Sequence, residues 1–158
     1  MTEPFGELTT PRLLLDRERL ERNSRRMRDR AEALGVRLRQ HVKTAKSVDV
    51  ARIAAGGDRG AITVSTLAEA EHFLAAGFTD ILYAVGLTLP KLRRARELAL
   101  GHPEATLTLI LDSVHLARQI AASAPAEGPD NVSFAIEVDS GQGRGGVSAG
   151  SDALVAIA

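Results

Sequence analysis

Apolar and polar positions along the chain predict strands and helices that follow one another in turn. From Val36 onward, short segments with apolar runs or with alternating apolar and polar residues predict strands, and they fall at residues 36–42, 61–64, 81–85, 106–111 and 132–138. The segments between them carry apolar residues at helical spacing, at residues 48–55, 67–76, 90–100 and 113–123. Strands that alternate with helices predict an α/β protein with a parallel sheet.

The region before Val36 has a different pattern. Residues 12–15 form a short apolar run that predicts a strand, and Asp16 can cap a helix over residues 17–34. This helix is rich in arginine, but acidic residues stand four positions away, as Glu18 does from Arg22. We therefore interpret its charge as a solvated face and not as a nucleic-acid-binding surface.

Two α/β architectures fit the spacing of the predicted elements: an open doubly wound sheet and a (β/α)₈ barrel. Spacing alone does not decide between them. A complete barrel needs about 250 residues, whereas this chain has 158 and five predicted βα strands. Its last residues, 154–158, have the composition of a sixth-unit helix. If the fold is a barrel, we expect an incomplete (β/α)₈ TIM barrel of about five βα units.

Composition is that of an ordinary soluble protein, with 44% hydrophobic and 25% charged residues. The formal net charge is zero, so nothing global attracts nucleic acid or an anionic membrane. There is no cysteine, which excludes disulfides and thiolate chemistry in this sequence. Residues 1–5 lack the features of a signal peptide, and no run of about eighteen apolar residues suggests a membrane span. We expect a cytoplasmic protein.

Alternation along the first barrel strand separates a basic face from a mostly apolar one. The basic face holds Arg37, Arg39, His41 and Lys43, and the other holds Leu38, Gln40 and Val42. In a barrel the helices cover the outer face, so the basic set would point inward. Lys43 would then lie at the C-terminal end of the strand, where barrel active sites form and where a lysine can form a Schiff base beside a phosphorylated cofactor. The alternative is an edge strand with solvated basic residues.

The fifth strand has an acidic face, formed by Glu137 and Asp139. Buried charges are tolerated when they are paired. We therefore expect the acidic and basic faces to meet in one interior, with Arg39 and Glu137 as an example of a pair.

Residues 141–146 match G-x-G-x-x-G, the dinucleotide-binding pattern. That pattern belongs on the first βα turn, with an acidic residue about 20 positions later, and this sequence meets neither condition. The useful feature is Arg144, held in a glycine-rich loop at the same barrel end as Lys43. It can donate to an anionic cofactor or a carboxylate, and the alternative is a flexible surface loop.

Other polar residues are weaker candidates. Lys46 and Ser47 open the first barrel helix and could bind phosphate, but Ser47 is equally well a plain helix cap. Tyr83 either lines the site or only packs. The remaining histidines, His72, His102 and His115, are expected at the surface or in packing. No Cys/His cluster suggests a metal site.

Four motifs, in order along the chain, resemble pyridoxal-phosphate (PLP) enzymes of the D-threonine aldolase and D-serine dehydratase branch, related to alanine racemase. They are Thr-Pro-Arg-Leu-Leu-Leu-Asp at 10–16 followed by Asn23, Arg-Gln-His-Val-Lys-Thr-Ala-Lys-Ser at 39–47, Ile-Thr-Val-Ser-Thr-Leu-Ala-Glu-Ala-Glu at 62–71, and Val-Asp-Ser-Gly-Gln-Gly-Arg-Gly-Gly-Val at 138–147. The similarity runs over essentially the whole chain.

The resemblance implies an alanine racemase-type barrel in which PLP is bound covalently by Lys43. It places Arg144 near the ring oxygen of the cofactor, with His41 and Gln142 also in the cofactor site. It implies a lyase that acts on D-β-hydroxy amino acids, by aldol cleavage or by dehydration, and that is a homodimer at full length. PLP serves as the electron sink, and the protein sets which bond breaks.

The sequence also departs from the family. Relatives often have proline where this chain has Gln40 and histidine where it has Ala45, which leaves the subfamily open. Relatives continue to a C-terminal β domain with a divalent metal, whose ligands are not in these 158 residues. We therefore expect the chain to be the N-terminal part of a PLP-binding barrel and not to be a competent enzyme alone. The alternatives are a non-catalytic PLP-binding homeostasis protein, an amino-acid racemase, and a nucleotide-binding module that uses the glycine loop.

Overall fold

A computed structural model describes residues 8–57, 60–123 and 131–158. Residues 1–5, for which the sequence predicts no signal peptide, lie outside this part. The elements in chain order are α1 (Arg17–Ala33), β1 (Gln40–His41), α2 (Val48–Ala55), β2 (Ile62–Val64), α3 (Leu67–Ala75), β3 (Asp80–Tyr83), α4 (Leu89–Gly101), β4 (Thr106–Leu111), α5 (Val114–Ser123), β5 (Val132–Ile136), β6 (Val138–Asp139), β7 (Val147–Ser148) and α6 (Asp152–Ile157). The predicted alternation of strands and helices is confirmed.

Five parallel strands form one sheet in the order β1-β2-β3-β4-β5, and β6 and β7 form a separate parallel pair. An open doubly wound sheet reverses its strand order at a switch point. This sheet does not reverse, because each strand pairs with the next one along the chain. The order is that of consecutive strands in a (β/α)₈ barrel, and about five βα units are present.

The core lies between the sheet and its helices. Alternate residues of the central strands are buried there, among them Ile62, Val64, Ile81, Tyr83, Leu107 and Leu109. Val42 belongs to the same core, and its neighbour His41 is exposed. The first strand therefore turns its apolar side to the helices and its basic side to the opposite face of the sheet, as predicted. Tyr83 is a packing residue, since only 2% of its surface is exposed.

Side-chain caps fix where several helices begin. The Asp16 carboxylate accepts from the Arg19 N–H at the start of α1, as the sequence predicted. Ser47 accepts from the Val50 N–H and so is the N-cap of α2. These contacts satisfy backbone donors that have no partner inside the helix.

The predicted strand over residues 12–15 is wrong. These residues have no regular secondary structure, and Leu13, Leu14 and Leu15 are exposed. The predicted strand over residues 36–42 is also too long, because only Gln40 and His41 pair with β2. An apolar run forms a strand only where a neighbouring strand accepts its backbone hydrogen bonds. Within the described residues, no helix is both long enough and apolar enough to cross a bilayer.

Candidate active site

A cleft of about 570 Å³ opens at the carboxyl ends of the strands. Its lining includes the residues predicted from the sequence to hold a cofactor, which are His41, Lys43, Gln142 and Arg144. They come from two distant segments: the turn after β1 and the loop after β6. The parallel sheet brings these segments together because the carboxyl ends of β1 and β5 lie at the same edge, and β6 follows β5 after a single residue.

Lys43 lies in the turn that joins β1 to α2. The Lys46 N–H donates to the Val42 carbonyl over 2.9 Å and closes this turn around Lys43. The Lys43 side chain is exposed and lines the cleft. Its amine makes no ion pair or hydrogen bond with any residue of the described ranges. Lys43 therefore presents an unengaged amine to the cleft.

Lys46 differs from Lys43 in each of these respects. Its amine lies 3.1 Å from Oε1 of Glu69, whose side chain is only 8% exposed. It is absent from the residues that line the cleft. Of the two lysines in this segment, Lys46 is held in a salt bridge, and Lys43 has no such partner among the described residues.

His41 lies beside Lys43 at the cleft wall. Its Nδ1 accepts the Lys43 backbone N–H over 3.3 Å, and its Nε2 is 3.5 Å from the Ser65 hydroxyl oxygen. An Nδ1 that accepts must be unprotonated, which places the proton on Nε2. Partial shielding from water, and then the charge of Lys43, lower the pKa of His41 below its ordinary value. His41 is therefore a neutral imidazole at neutral pH.

Asp139 organises the glycine loop, which spans residues 139–146. Its carboxylate accepts the backbone N–H groups of Gly141, Gln142 and Gly143 at 2.9–3.1 Å. The hydrogen bonds from Gly141 and Gly143 lower the pKa of Asp139, so that the group is ionised at neutral pH. Asp139, which alternation placed on the acidic face with Glu137, has its oxygens taken by its own loop.

The predicted pair between Arg39 and Glu137 is wrong. The Arg39 guanidinium lies 2.7 Å from the carboxylate of Asp80 and donates to the Ile62 and Asp80 carbonyls. Arg39 directly precedes β1 and Asp80 begins β3, whereas Glu137 directly follows β5 and lines the cleft. The distance along the strands separates Arg39 from Glu137.

Two acidic residues of this region were not predicted as part of the site. Asp112 lines the cleft directly after β4, and the rule that barrel sites form at strand C-termini would have found it. Glu69 stands in a helix-capping pattern with Thr66, whose hydroxyl accepts the Glu69 N–H, and no sequence signal connects it with Lys46. The other predicted candidates, Ser47, Tyr83, His72, His102 and His115, do not line the cleft. The described ranges hold no group of three or more acidic, histidine or cysteine side chains that could bind a metal.

Comparison with known proteins gives one matching family. Residues 15–158 match the model described as "Alanine racemase, N-terminal domain". The chain is 46% identical over 155 residues to D-threo-3-hydroxyaspartate dehydratase of Delftia sp. (strain HT23), covering 98% of this chain and 40% of that protein. It is 36% identical to D-threonine aldolase of Arthrobacter sp. (97% and 39% covered) and 30% identical to D-serine dehydratase of Schizosaccharomyces pombe (90% and 35% covered).

Solved structures give the same result. An alanine racemase-like protein from Idiomarina loihiensis superposes with a TM-score of 0.87 at 37% identity, over 96% of this chain and 40% of that one. The Delftia dehydratase superposes with a TM-score of 0.81 at 45% identity, over 96% and 39% of the two chains. The chain thus spans about 40% of the length of these two proteins, and the similarity to the branch predicted from the motifs is confirmed.

Proposed function

The chain belongs to the alanine racemase N-terminal domain family, and from this premise we propose that it binds PLP through Lys43 as part of a lyase acting on D-β-hydroxy amino acids. The observation that carries the proposal is the contrast between the two neighbouring lysines. Lys43 faces the cleft with an unengaged amine, whereas Lys46 is bound to Glu69.

The residues of the cleft fit an anionic, carbonyl-bearing cofactor. Lys43 supplies the amine, and Arg144, in the loop after β6, supplies a guanidinium to the same cleft. A planar guanidinium is well suited to an oxyanion because its donors form a fixed fork. Lys43 would hold the cofactor covalently, Arg144 would donate to its ring oxygen, and His41 and Gln142 would contact it. When bound, PLP supplies an electron sink for the bond that breaks next to the amino group.

His41 contributes to this site as a neutral group. With its proton on Nε2 and its Nδ1 occupied by the Lys43 N–H, the ring adds no second positive charge beside the Lys43 amine. A positively charged imidazole at that position would favour the unprotonated form of Lys43. It would also compete with Arg144 for the anionic groups of the cofactor. Glu137 and Asp112 place acidic groups on the same cleft.

The substrate class is part of the proposal. The relatives compared above are named for D-threo-3-hydroxyaspartate, D-threonine and D-serine, which all carry a hydroxyl on the β carbon and have the D configuration. The greatest identity among them is with the dehydratase, so dehydration of a β-hydroxy D-amino acid is the reaction that we expect first. For the complete gene product we also expect a divalent metal, a homodimer and a cytoplasmic location.

The test uses the complete polypeptide encoded by the gene, loaded with PLP. Borohydride reduction makes the lysine–cofactor bond permanent, and peptide mapping then locates the label. We expect the label on Lys43, none in Lys43→Ala, and continued labelling of Lys43 in Lys46→Ala. Label on Lys46 in the parent protein would show that the assignment is wrong.

Turnover separates the proposal from its alternatives. We expect the loaded parent protein to release a keto acid or an aldehyde from D-threo-3-hydroxyaspartate, D-threonine or D-serine. Stable PLP binding without turnover would favour the homeostasis protein, and formation of the L enantiomer would favour a racemase. Binding of a dinucleotide in place of PLP would favour the nucleotide-binding module.

A further inference from the structure

We infer that Glu69 is a positioning residue for the proposed cofactor site, because its buried carboxylate holds the turn that carries Lys43 and the serine that contacts His41. The inference rests on the proposed function. Glu69 lies in the first turn of α3 and does not line the cleft. It acts through two contacts, one made by each carboxylate oxygen.

The first contact reaches the lysine turn, which we define as residues 42–46. Lys46 has a φ of 51°, in the left-handed region that residues other than glycine rarely adopt. In this conformation its N–H closes the turn onto the Val42 carbonyl, and its amine meets Oε1 of Glu69 at 3.1 Å. The salt bridge therefore opposes the tendency of Lys46 to leave an unfavourable backbone conformation, and Lys43 lies inside the turn that it holds.

The second contact reaches His41. Oε2 of Glu69 accepts the Ser65 backbone N–H over 2.7 Å. The hydroxyl of the same serine lies 3.5 Å from Nε2 of His41. Glu69 thus fixes the residue against which the imidazole rests. His41 at the end of β1 and Lys43 in the turn after it, which both lie beside the proposed cofactor, therefore depend on one carboxylate of the neighbouring βα unit.

The state of the carboxylate agrees with this role. Burial alone would raise the pKa of Glu69, but the Ser65 N–H and the nearby Lys46 ammonium outweigh it, and the pKa lies below its ordinary value. Its place in the first turn of α3 also favours a negative charge. Glu69 is therefore ionised while it bridges Ser65 and Lys46.

A capping role alone would require less than the structure shows. Thr66 is the N-cap of α3, and its hydroxyl accepts the Glu69 N–H. In the other direction, the Glu69 side chain accepts the Ser65 N–H, and this hydrogen bond needs only an acceptor oxygen. Glutamine supplies such an oxygen. The charge and the contact with Lys46 are unnecessary for capping, so Glu69→Gln separates the positioning role from the capping role.

The test measures PLP affinity in the complete gene product by absorbance titration, together with thermal unfolding. We expect Glu69→Gln to weaken PLP binding about tenfold, which corresponds to the loss of one charge-assisted hydrogen bond. The matched control is Glu71→Gln. Glu71 lies on the same helix and pairs with Arg94 at 2.8 Å, away from the cleft. We expect this control to keep the parent affinity.

Thr66→Ala tests the capping role directly, since it removes the cap and leaves the carboxylate in place. We expect it to lower the unfolding temperature and to keep the PLP affinity. Lys46→Gln should weaken PLP binding as Glu69→Gln does, and the double variant should lose no more than either single one. If Glu69→Gln binds PLP as the parent does, or if Thr66→Ala weakens binding equally, the inference is overturned. If the parent protein itself does not bind PLP through Lys43, the proposed function fails instead.

Discussion

Two segments bring cations to the same cleft, but they are held there in different ways. The lysine turn is fastened from outside, by a carboxylate that lies more than twenty residues further along the chain. The glycine loop is fastened from within, because its first residue accepts hydrogen bonds from three of its own backbone N–H groups. One segment depends on the neighbouring βα unit and the other on its own sequence.

The difference shows which parts of a site a sequence can reveal. A local arrangement leaves a local pattern, an aspartate followed by closely spaced glycines, and such a pattern can be recognised in one sequence. A contact such as that between Lys46 and Glu69 leaves no pattern of spacing, because it depends on the pairing of β1 with β2. The two segments should therefore respond differently to substitution.

The largest effect is expected in the glycine loop, from Gly146→Ala. Gly146 has a φ of 87°, and an added Cβ would lie 2.8 Å from the Asp139 nitrogen and 2.9 Å from the Glu137 carbonyl oxygen. These atoms are backbone, so the β6–β7 pair must shift. We expect a loss of about 3 kcal/mol in the free energy of unfolding, from strain and overlap together. Urea denaturation of the complete gene product measures it.

Gly150→Ala is the matched control. Gly150 has a φ of 75°, but nothing lies within 4 Å of an added Cβ. Only the backbone strain applies, and we expect a loss of about 1 kcal/mol. Equal losses in the two variants would mean that close packing of the glycine loop against β6 does not matter.

Much of the fold could be predicted because its signals are local. The limits of α2 and β4 and the capping aspartate of α1 follow from apolar spacing and from cap residues within a few positions. Strand pairing was harder to predict. Residues 12–15 have a strand-like composition but pair with nothing in the described part of the chain, and β1 is shortened for the same reason.

The charged residues show the same limit. Alternation placed Arg39 on the correct face but could not say how far along the strand its partner would lie. Asp80 was left out of the predicted third strand, which began one residue later, although it begins β3 and pairs with Arg39. Asp139 was placed with Glu137 by alternation, yet the loop that follows takes its oxygens. In both cases the partner depends on geometry beyond the strand itself.

A smaller effect is expected from Asp139→Asn. Asparagine keeps one acceptor oxygen, but its amide nitrogen would face the Gly143 N–H, a donor that the second carboxylate oxygen now accepts. We expect faster amide hydrogen exchange at Gly141 and Gly143 and weaker PLP binding, with the lysine turn unaffected. Faster exchange at Lys46 as well would contradict the independence of the two segments.

The same aspartate predicts how the glycine loop responds to acid. Its pKa is lowered in the folded protein, so its contribution to stability is present above the unfolded value of about 3.9 and is lost as the pH falls through the folded pKa. Between pH 5 and 8 we expect the exchange protection of Gly141 to be constant once the intrinsic exchange rate is allowed for. A loss of protection near pH 6 would assign control of the loop to another group.

The lysine turn can be tested at its strained residue. Lys46→Ala and Lys46→Gly both remove the salt bridge with Glu69, but only glycine adopts a φ of 51° without a steric penalty. We expect Lys46→Gly to be the more stable of the two by about 1 kcal/mol, less the extra entropy that glycine gains in the unfolded chain. If alanine is equally stable, the turn without its salt bridge has left the left-handed conformation for one that alanine adopts without strain, and the left-handed φ is not a property of the turn alone.

The smallest effect is a change in the titration of His41, and it separates the two segments most directly. The charge of Lys43 lowers the pKa of His41 and the charge of Glu69 raises it. In PLP-free protein we therefore expect Lys43→Met to raise the pKa of His41, Glu69→Gln to lower it, and Arg144→Met in the glycine loop to leave it unchanged. The ring-proton resonance, assigned by its absence in His41→Gln, gives each value. Because the folded pKa lies below the unfolded value of about 6.5, the unfolded state binds more protons, and stability should rise with pH up to that value. A shift in Arg144→Met as large as the shift in Glu69→Gln would show that the glycine loop is coupled to His41, and the contrast between a turn fastened from outside and a loop fastened from within would not hold.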